Sequence, residues 1–333
     1  MRVLTRYGIK GGDVPELVMR IGITMGDPSG IGPEIIAKAL PVIAPFGQVV
    51  IIGDAGVFGR ACAYTRVPRG VSFDFVDMAN VPREGFAFGR IKAEYGKASL
   101  EFIDQAVALL DRGLIDCLVT CPVSKEAVSL GAGPFSGHTE YLARKAGVRS
   151  TVMMLLNERL RFGLVTTHLP LRDVPAAITR EKVRKTVSMT AQALRRWFGI
   201  RCPSLAVCGV NPHASDNGVI GDEEKKVLIP ALAGMDKKGF RVAGPLSADC
   251  CCAAAMAGKF DAVVAMYHDQ ALIPLKTIGA YSGVNLTAGL PYVRTSPLHG
   301  TAFDIAGKGR ANAGSLIAAV ETACRCARRP RKA

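Results

Sequence analysis

The chain alternates short, almost uninterrupted apolar runs with longer segments of helical period. Runs at 20–25, 49–53, 114–120, 152–156, 162–167, 205–210 and 262–267 place hydrophobic residues at successive positions. Such runs suit strands covered on both faces, as in parallel sheets. Helices are predicted from about Pro33 to Leu40, from Arg90 to Arg112, and over 181–198, 222–233 and 314–326. Within 90–112, the residues Ile91, Tyr95, Phe102, Ala106, Leu109 and Leu110 follow a 3.6-residue period. A further helix is predicted to begin at Pro122, because proline suits a first helical turn. Strands alternating with helices predict an α/β architecture. Neither a repeat nor a low-complexity linker marks a boundary, and the second lobe is expected from about Val119 to Val210. Residues 1–18 lack periodicity and read as a disordered leader, with Met19 as an alternative start. Residues 19–326 read as one unit of two α/β lobes and 327–333 as a basic tail.

Three of the apolar runs lead into a histidine. Phe162–Thr167 ends on His168, Leu205–Val210 passes through Asn211 and Pro212 to His213, and Ala262–Tyr267 ends on His268. Ligands of open α/β sheets bind beyond the carboxyl ends of the strands, so three imidazoles delivered there can converge on one point. Taken singly, each is more simply a structural histidine. Together they point to a metal site, because four of the five histidines fall at strand ends or turns and Asp269 follows His268. Nitrogen donors with carboxylate support suit Zn²⁺, Co²⁺, Mn²⁺ or Mg²⁺, in that order of fit.

Other motifs are less specific. The turn Gly26-Asp27-Pro28-Ser29-Gly30-Ile31-Gly32-Pro33-Glu34 follows the first strand and opens a helix, a place where backbone can approach an anion. It matches neither a Gly-x-Gly-x-x-Gly fingerprint nor a Walker loop. Ser136-Gly137-His138-Thr139-Glu140 is either a helix start capped by Thr139 or a substrate clamp. Lys276, Asn285 and Arg294 are ordinary surface residue types. Arg294, however, lies among small and apolar neighbours and calls for a phosphate or carboxylate partner.

Composition narrows the class. With 333 residues and 49% hydrophobic content the chain can bury a large core. Its apolar runs fall short of the roughly 20 residues a membrane helix needs, and no secretory signal is visible. The ten cysteines have no disulfide-like spacing and read as reduced structural thiols, which places the protein in the cytoplasm. The net charge of +14 comes from scattered Lys and Arg with only 6% aromatics, a poor match to nucleic-acid recognition. It suits steering of anionic, phosphorylated small molecules.

Read together, several motifs resemble the 4-hydroxythreonine-4-phosphate dehydrogenase family of vitamin B6 biosynthesis. They are the Gly26–Glu34 turn, Gly137-His138-Thr139-Glu140, Asn211-Pro212-His213-Ala214, Met266-Tyr267-His268-Asp269-Gln270 and Gly289-Leu290-Pro291-Tyr292-Val293-Arg294-Thr295-Ser296. The resemblance runs in order from about Arg20 to Cys324. It implies a two-lobed isocitrate/isopropylmalate dehydrogenase-like fold, with helices packed on a mixed, largely parallel sheet and the active site in the cleft between the lobes. It implies oxidation of 4-phosphohydroxy-L-threonine with NAD or NADP and a divalent metal, followed by loss of CO2. It also implies His168, His213 and His268 as metal ligands, and His138, Thr139, Lys276, Asn285 and Arg294 as substrate-binding residues. The active site is implied to be shared across a homodimer. A second likeness, of His299–Asn312 to the nucleotide loop of isocitrate and isopropylmalate dehydrogenases, implies that His299, Gly300 and Asn312 lie near the adenine. Phe303 departs from the proline usual there. The base that takes the hydroxyl proton is left among Asp249, Asp269 and Lys276. Related branches act on phosphothreonate, phosphoerythronate or cyclic dihydrodiol carboxylates, and a metal-dependent hydrolase or lyase is the alternative of another class.

Overall fold

The computed structural model describes residues 2–5, 18–65, 67–68, 70–235 and 239–328. The chain divides into two compact units, Met1–Gly147 with Leu290–Arg328, and Val148–Gly289. In chain order the first unit contributes β1 (Arg2–Thr5), β2 (Arg20–Thr24), α1 (Gly32–Ile43), β3 (Gln48–Gly53), α2 (Ala55–Thr65) and β4 (Asp74–Asp77). It continues with α3 (Ala93–Asp111), β5 (Cys117–Thr120), α4 (Lys125–Ala132) and α5 (His138–Lys145). The second unit holds β6 (Val152–Leu156), β7 (Arg161–Leu164), α6 (Val174–Ala177), α7 (Arg180–Phe198), β8 (Ser204–Cys208) and α8 (Ile229–Leu232). Then come β9 (Arg241–Leu246), α9 (Ala248–Met256), β10 (Ala262–Ala265), α10 (His268–Ile278) and β11 (Val284–Ala288). The chain returns to the first unit for β12 (Arg294–Pro297) and α11 (Gly314–Ala327).

In the first unit the strand order is β1-β4-β3-β2-β5-β12, and every pairing is parallel. Of the expected leader, Arg2–Thr5 pairs with Asp74–Asp77, while residues 6–17 lie outside the described residues, as do 329–333 of the expected tail. The second unit is mixed. Its order is β11-β6-β7-β10-β8-β9, antiparallel through the first three strands and parallel from β7 onward. The second lobe expected at 119–210 is corrected to Val148–Gly289, because β5 is held between β2 and β12 of the first unit.

Local chemistry explains several boundaries. Helix α7 starts where the Thr179 hydroxyl accepts a hydrogen bond from the Lys182 amide and stops at Gly199, whose φ of +70° suits glycine. Its buried stripe of Val183, Val187, Ala191, Leu194 and Trp197 follows the helical period. The helix expected from Pro122 begins instead at Lys125, capped by Ser124 through the Ala127 amide. The helix expected over 222–233 is broken into a wide turn at Glu224–Leu228 and the short α8, since Pro230 has no amide proton to continue the ladder.

All ten cysteines are free thiols. Two contacts join a strand to a helix: Cys117 of β5 with Cys324 of α11 in the first unit, and Cys208 of β8 with Cys251 of α9 in the second. No described helix is long and apolar enough to cross a membrane.

Candidate functional site

In the second unit, β7, β10 and β8 are neighbours and parallel, with Val263 opposite both Phe162 and Ala206. Their carboxyl ends therefore face the same way, and all three strand-end histidines follow from that edge. Beyond the ladder, Val165 N donates to Ala265 O (2.9 Å), and the Thr166 hydroxyl donates to Met266 O (2.7 Å). These bonds carry the two chains side by side to His168 and His268, whose ring centroids lie 5.4 Å apart. His268 opens α10, and its Nδ1 is 2.8 Å from Asp269 Oδ1. An imidazole that gives its Nδ1 proton to a carboxylate presents Nε2 as a metal ligand.

His213 follows a different course. After Cys208 the chain leaves the ladder because Val210 N and Asn211 N donate to Glu224 Oε1, at 2.7 and 2.9 Å. Asn211 Nδ2 adds bonds to Glu223 Oε2 and Glu224 Oε2. Burial favours the protonated form of Glu224, yet the bonds from Asn211 and the backbone amides outweigh it and hold the carboxyl below its ordinary range. The next residues, His213–Asn217, run at positive φ between 43° and 68°, a backbone region costly for non-glycine residues. Among the described residues no three His, Cys, Asp or Glu side chains gather closely enough to hold a metal ion. One chain thus brings His168 and His268 together and leaves His213 apart. Two imidazole nitrogen donors backed by a carboxylate fit an incomplete divalent-metal site.

Gln270 also belongs to this edge. Its Oε1 accepts from Met266 N (2.7 Å) and its Nε2 donates to Gly209 O (2.9 Å), bridging the ends of β10 and β8. Its only signal in the sequence was its place two residues after His268. Of the candidate bases, Asp269 pairs with His268, Lys276 lies in the last turn of α10, and Asp249 is exposed in the first turn of α9. Asn285 sits on β11 with its buried Oδ1 lacking a hydrogen-bond partner, as suits a group that accepts from a ligand.

In the first unit, Arg294 is 1% exposed and donates through Nε and Nη2 to the Thr120 hydroxyl, at 3.2 and 2.6 Å. Burial lowers its pKa to about 10, which still leaves a guanidinium cation at neutral pH. His138 is the first residue of α5, and Gly137 caps that helix without a side-chain bond, so Thr139 lies in the first turn and is not the cap. The His138 pKa falls well below its ordinary value, first through burial and then through the Arg294 charge. Its ring is therefore neutral at pH 7, with a buried Nε2 lacking a partner. The segment 299–312 leads into α11, where Asn312 Oδ1 accepts from Gly314 N (2.8 Å) and leaves Nδ2 to donate outward. A Cβ at Gly300 would meet nothing within 4 Å, so its backbone is open to a ligand.

The turn Gly26–Glu34 departs from the expected anion site. Every residue of it is buried. A Cβ at Gly32 would lie 2.0 Å from Met25 O, and one at Gly26 would lie 2.3 Å from Pro122 O. These glycines permit close backbone packing and leave no room for a ligand.

Comparison with known proteins shows the family. The profile of the family described as "Pyridoxal phosphate biosynthetic protein PdxA" matches residues 47–323. A 4-hydroxythreonine-4-phosphate dehydrogenase of Desulfosudis oleivorans is 42% identical over 319 residues, covering 91% of this chain and 94% of that protein. A D-threonate 4-phosphate dehydrogenase of Cupriavidus necator is 42% identical over 326 residues, covering 93% and 97%. The crystal structure of a Klebsiella pneumoniae 4-hydroxythreonine-4-phosphate dehydrogenase superposes with a TM-score of 0.85 at 37% identity, covering 94% of this chain and 99% of that one. The chain belongs to the PdxA family.

Proposed function

We propose that the protein is a divalent-metal-dependent, NAD-linked dehydrogenase of 4-phosphohydroxy-L-threonine. The product, 2-amino-3-oxo-4-phosphooxybutanoate, loses CO2 to give 3-amino-2-oxopropyl phosphate on the route to pyridoxal phosphate. The observation that carries the reading is the His168–His268 pair, 5.4 Å apart at the carboxyl ends of two adjacent parallel strands, in a chain of this family. Oxidation removes a hydride from carbon 3 and a proton from its hydroxyl. The ketone then stands β to the carboxylate, and such acids decarboxylate readily.

Each residue has a definite task in this reading. His168 and His268 hold the cation, with Asp269 orienting the second ring. The cation, when bound, supplies Lewis acidity at the hydroxyl being oxidised. His213 of a second copy supplies the missing ligand. Support for a second copy comes from exposed apolar side chains near the three histidines, including Leu169, Leu171, Val219 and Ile273 at 44, 70, 81 and 65% exposure. Arg294 anchors a phosphate or carboxylate as a permanent cation. Neutral His138, with Thr139, Lys276 and Asn285, hydrogen-bonds the remaining polar groups. His299, Gly300 and Asn312 receive the adenosine half of NAD or NADP. Asp269, Asp249 and Lys276 are the candidate bases, and Asp269 is bonded to one imidazole of the pair. The free thiols suit the reducing cytoplasm.

The Cupriavidus relative favours one second reading, D-threonate 4-phosphate as substrate. That compound carries a hydroxyl where 4-phosphohydroxy-L-threonine carries an amino group. The test is NADH formation by metal-loaded enzyme on each compound separately. Faster turnover of the amino acid supports the proposal. Turnover confined to the hydroxy acid moves the protein to the other substrate, and no NADH from either overturns both.

A further inference from the structure

The buried turn Gly26–Glu34 and the following turn of α1 form a seat for the segment 299–312. At its start, Ile31 N donates to Thr301 O (3.0 Å), and Gly30 lies so close that a Cβ would stand 3.1 Å from that oxygen. In the middle, a Cβ at Gly89 would meet Phe303 O at 2.7 Å, and one at Gly307 would meet the Phe88 ring at the same distance. At its end, a single ion pair holds the backbone. Lys38 Nζ donates to Gly309 O (2.8 Å), Ala311 O (2.8 Å) and Glu34 Oε1 (2.9 Å). Ala311 N donates to the same Glu34 oxygen at 2.8 Å.

An ammonium has three protons to give, and all three are committed here. Glu34 is fully buried and its salt bridge to Lys38 spans one helical turn, so the pair is rigid and poorly screened. Tyr64 stands beside Glu34, its phenol pushed well above the ordinary range by burial and by the carboxylate charge. It is therefore neutral and adds no competing anion. The clamp fixes residues 309–311 directly before Asn312, whose side chain accepts from the Gly314 amide at the start of α11.

We propose that Glu34 and Lys38 are positioning residues for the dinucleotide, holding segment 299–312 in the shape that receives its adenosine half. This rests on the reading of that segment as the nucleotide loop. Neither residue touches the cofactor. They act by keeping the loop ordered before it binds, which removes an ordering cost from the binding step.

The experiment compares wild type, Lys38→Met, Lys38→Arg and the double variant Glu34→Gln/Lys38→Met. The double variant leaves no buried carboxylate unpaired, and so keeps the comparison open where Lys38→Met alone unfolds the first unit. Three readouts are taken: NAD affinity by calorimetry without substrate, hydrogen exchange of residues 305–313, and KM for NAD against KM for the phosphorylated substrate. Loss of the clamp is expected to speed exchange and weaken NAD binding about tenfold, as for a loop competent only a tenth of the time. The substrate KM should stay within about twofold, and Lys38→Arg should recover most of the affinity because it keeps the charge. Faster exchange with unchanged NAD affinity overturns the proposal, as does unchanged exchange. A wild-type protein that binds neither NAD nor NADP overturns the nucleotide-loop reading and the proposal with it.

Discussion

The Gly26–Glu34 turn and the histidine edge of the second unit both looked like sites in the sequence, yet they are built in opposite ways. The turn is buried throughout, and its glycines lie against backbone. His168 and His213 are exposed, and His268 is half-buried. A buried glycine-rich turn has spent its backbone freedom on packing. A histidine that keeps open surface and is held from behind, as His268 is by Asp269 and the approach to His213 is by the Glu224–Asn211 bonds, still has something to offer a ligand. Exposure of the polar atoms, more than residue type, separates framework from chemistry.

The sharpest attack on that distinction is His168→Ala. Activity should fall by at least about 100-fold and calorimetric binding of Zn²⁺ or Co²⁺ should vanish, with the melting temperature nearly unchanged. Retained metal affinity would mean that the exposed edge is as structural as the turn. Mixing His213→Ala with His268→Ala asks whether the third ligand comes from a second copy. Each variant should be inactive alone, and random exchange into C2 dimers should restore about a quarter of wild-type activity, since half the dimers are mixed and each has one intact site. No recovery after verified exchange would rule out a shared site.

Asp269→Asn probes the support behind the metal edge and should weaken metal affinity about 10–100-fold. Arg294 tests the distinction from the other side, because it is as buried as the turn and yet is assigned to the substrate. Arg294→Lys keeps the charge but loses the planar fork, and should raise the KM for the phosphorylated substrate about tenfold with little change for NAD. Equal changes in both would remove Arg294 from the substrate site.

The turn itself should leave metal and substrate binding untouched and show only in stability. Burial raises the Asp27 carboxyl from 3.8 to about 6, against hydrogen bonds from the backbone of Ser29, Ser124 and Gly30. The folded state therefore binds this proton more tightly than the unfolded chain. The resulting stability is present below pH 3.8 and lost as pH rises through about 6. A difference of that size corresponds to roughly 3 kcal/mol, so Asp27→Asn should match wild type near pH 4 and melt several degrees higher near pH 7.5. A melting difference independent of pH would show that Asp27 binds its proton no more tightly in the folded protein than in the unfolded chain.

The fold was legible where burial leaves an apolar record. β2, β3, β6, β8 and β10 appear as uninterrupted hydrophobic runs because both their faces are covered. β11 and β12 escaped because polar side chains interrupt their apolar pattern, Asn285 and Thr287 in β11 and Arg294 and Thr295 in β12, where Thr295 Oγ1 donates to Ala319 O at 2.8 Å and Arg294 bonds to Thr120. Helix α9, with Cys250–Cys252 and four alanines, has almost no polar face to reveal its period. The strand-end histidines were visible for the same reason as their strands. Which of them meet was not, because His213 is turned aside by Glu224, eleven positions further along the chain. Lys38 was missed for a similar reason, since its partners Gly309 and Ala311 lie more than 270 residues away in sequence.

The paired thiols give the molecule a built-in clock. Cys117 and Cys324 are sealed in one unit, and Cys208 and Cys251 in the other, all four buried. An alkylating reagent reaches a sealed thiol only when the surrounding segment opens, so labelling rates read out local opening free energies. Mass spectrometry of the four labelled peptides would time the opening of each unit separately, with no residue replaced.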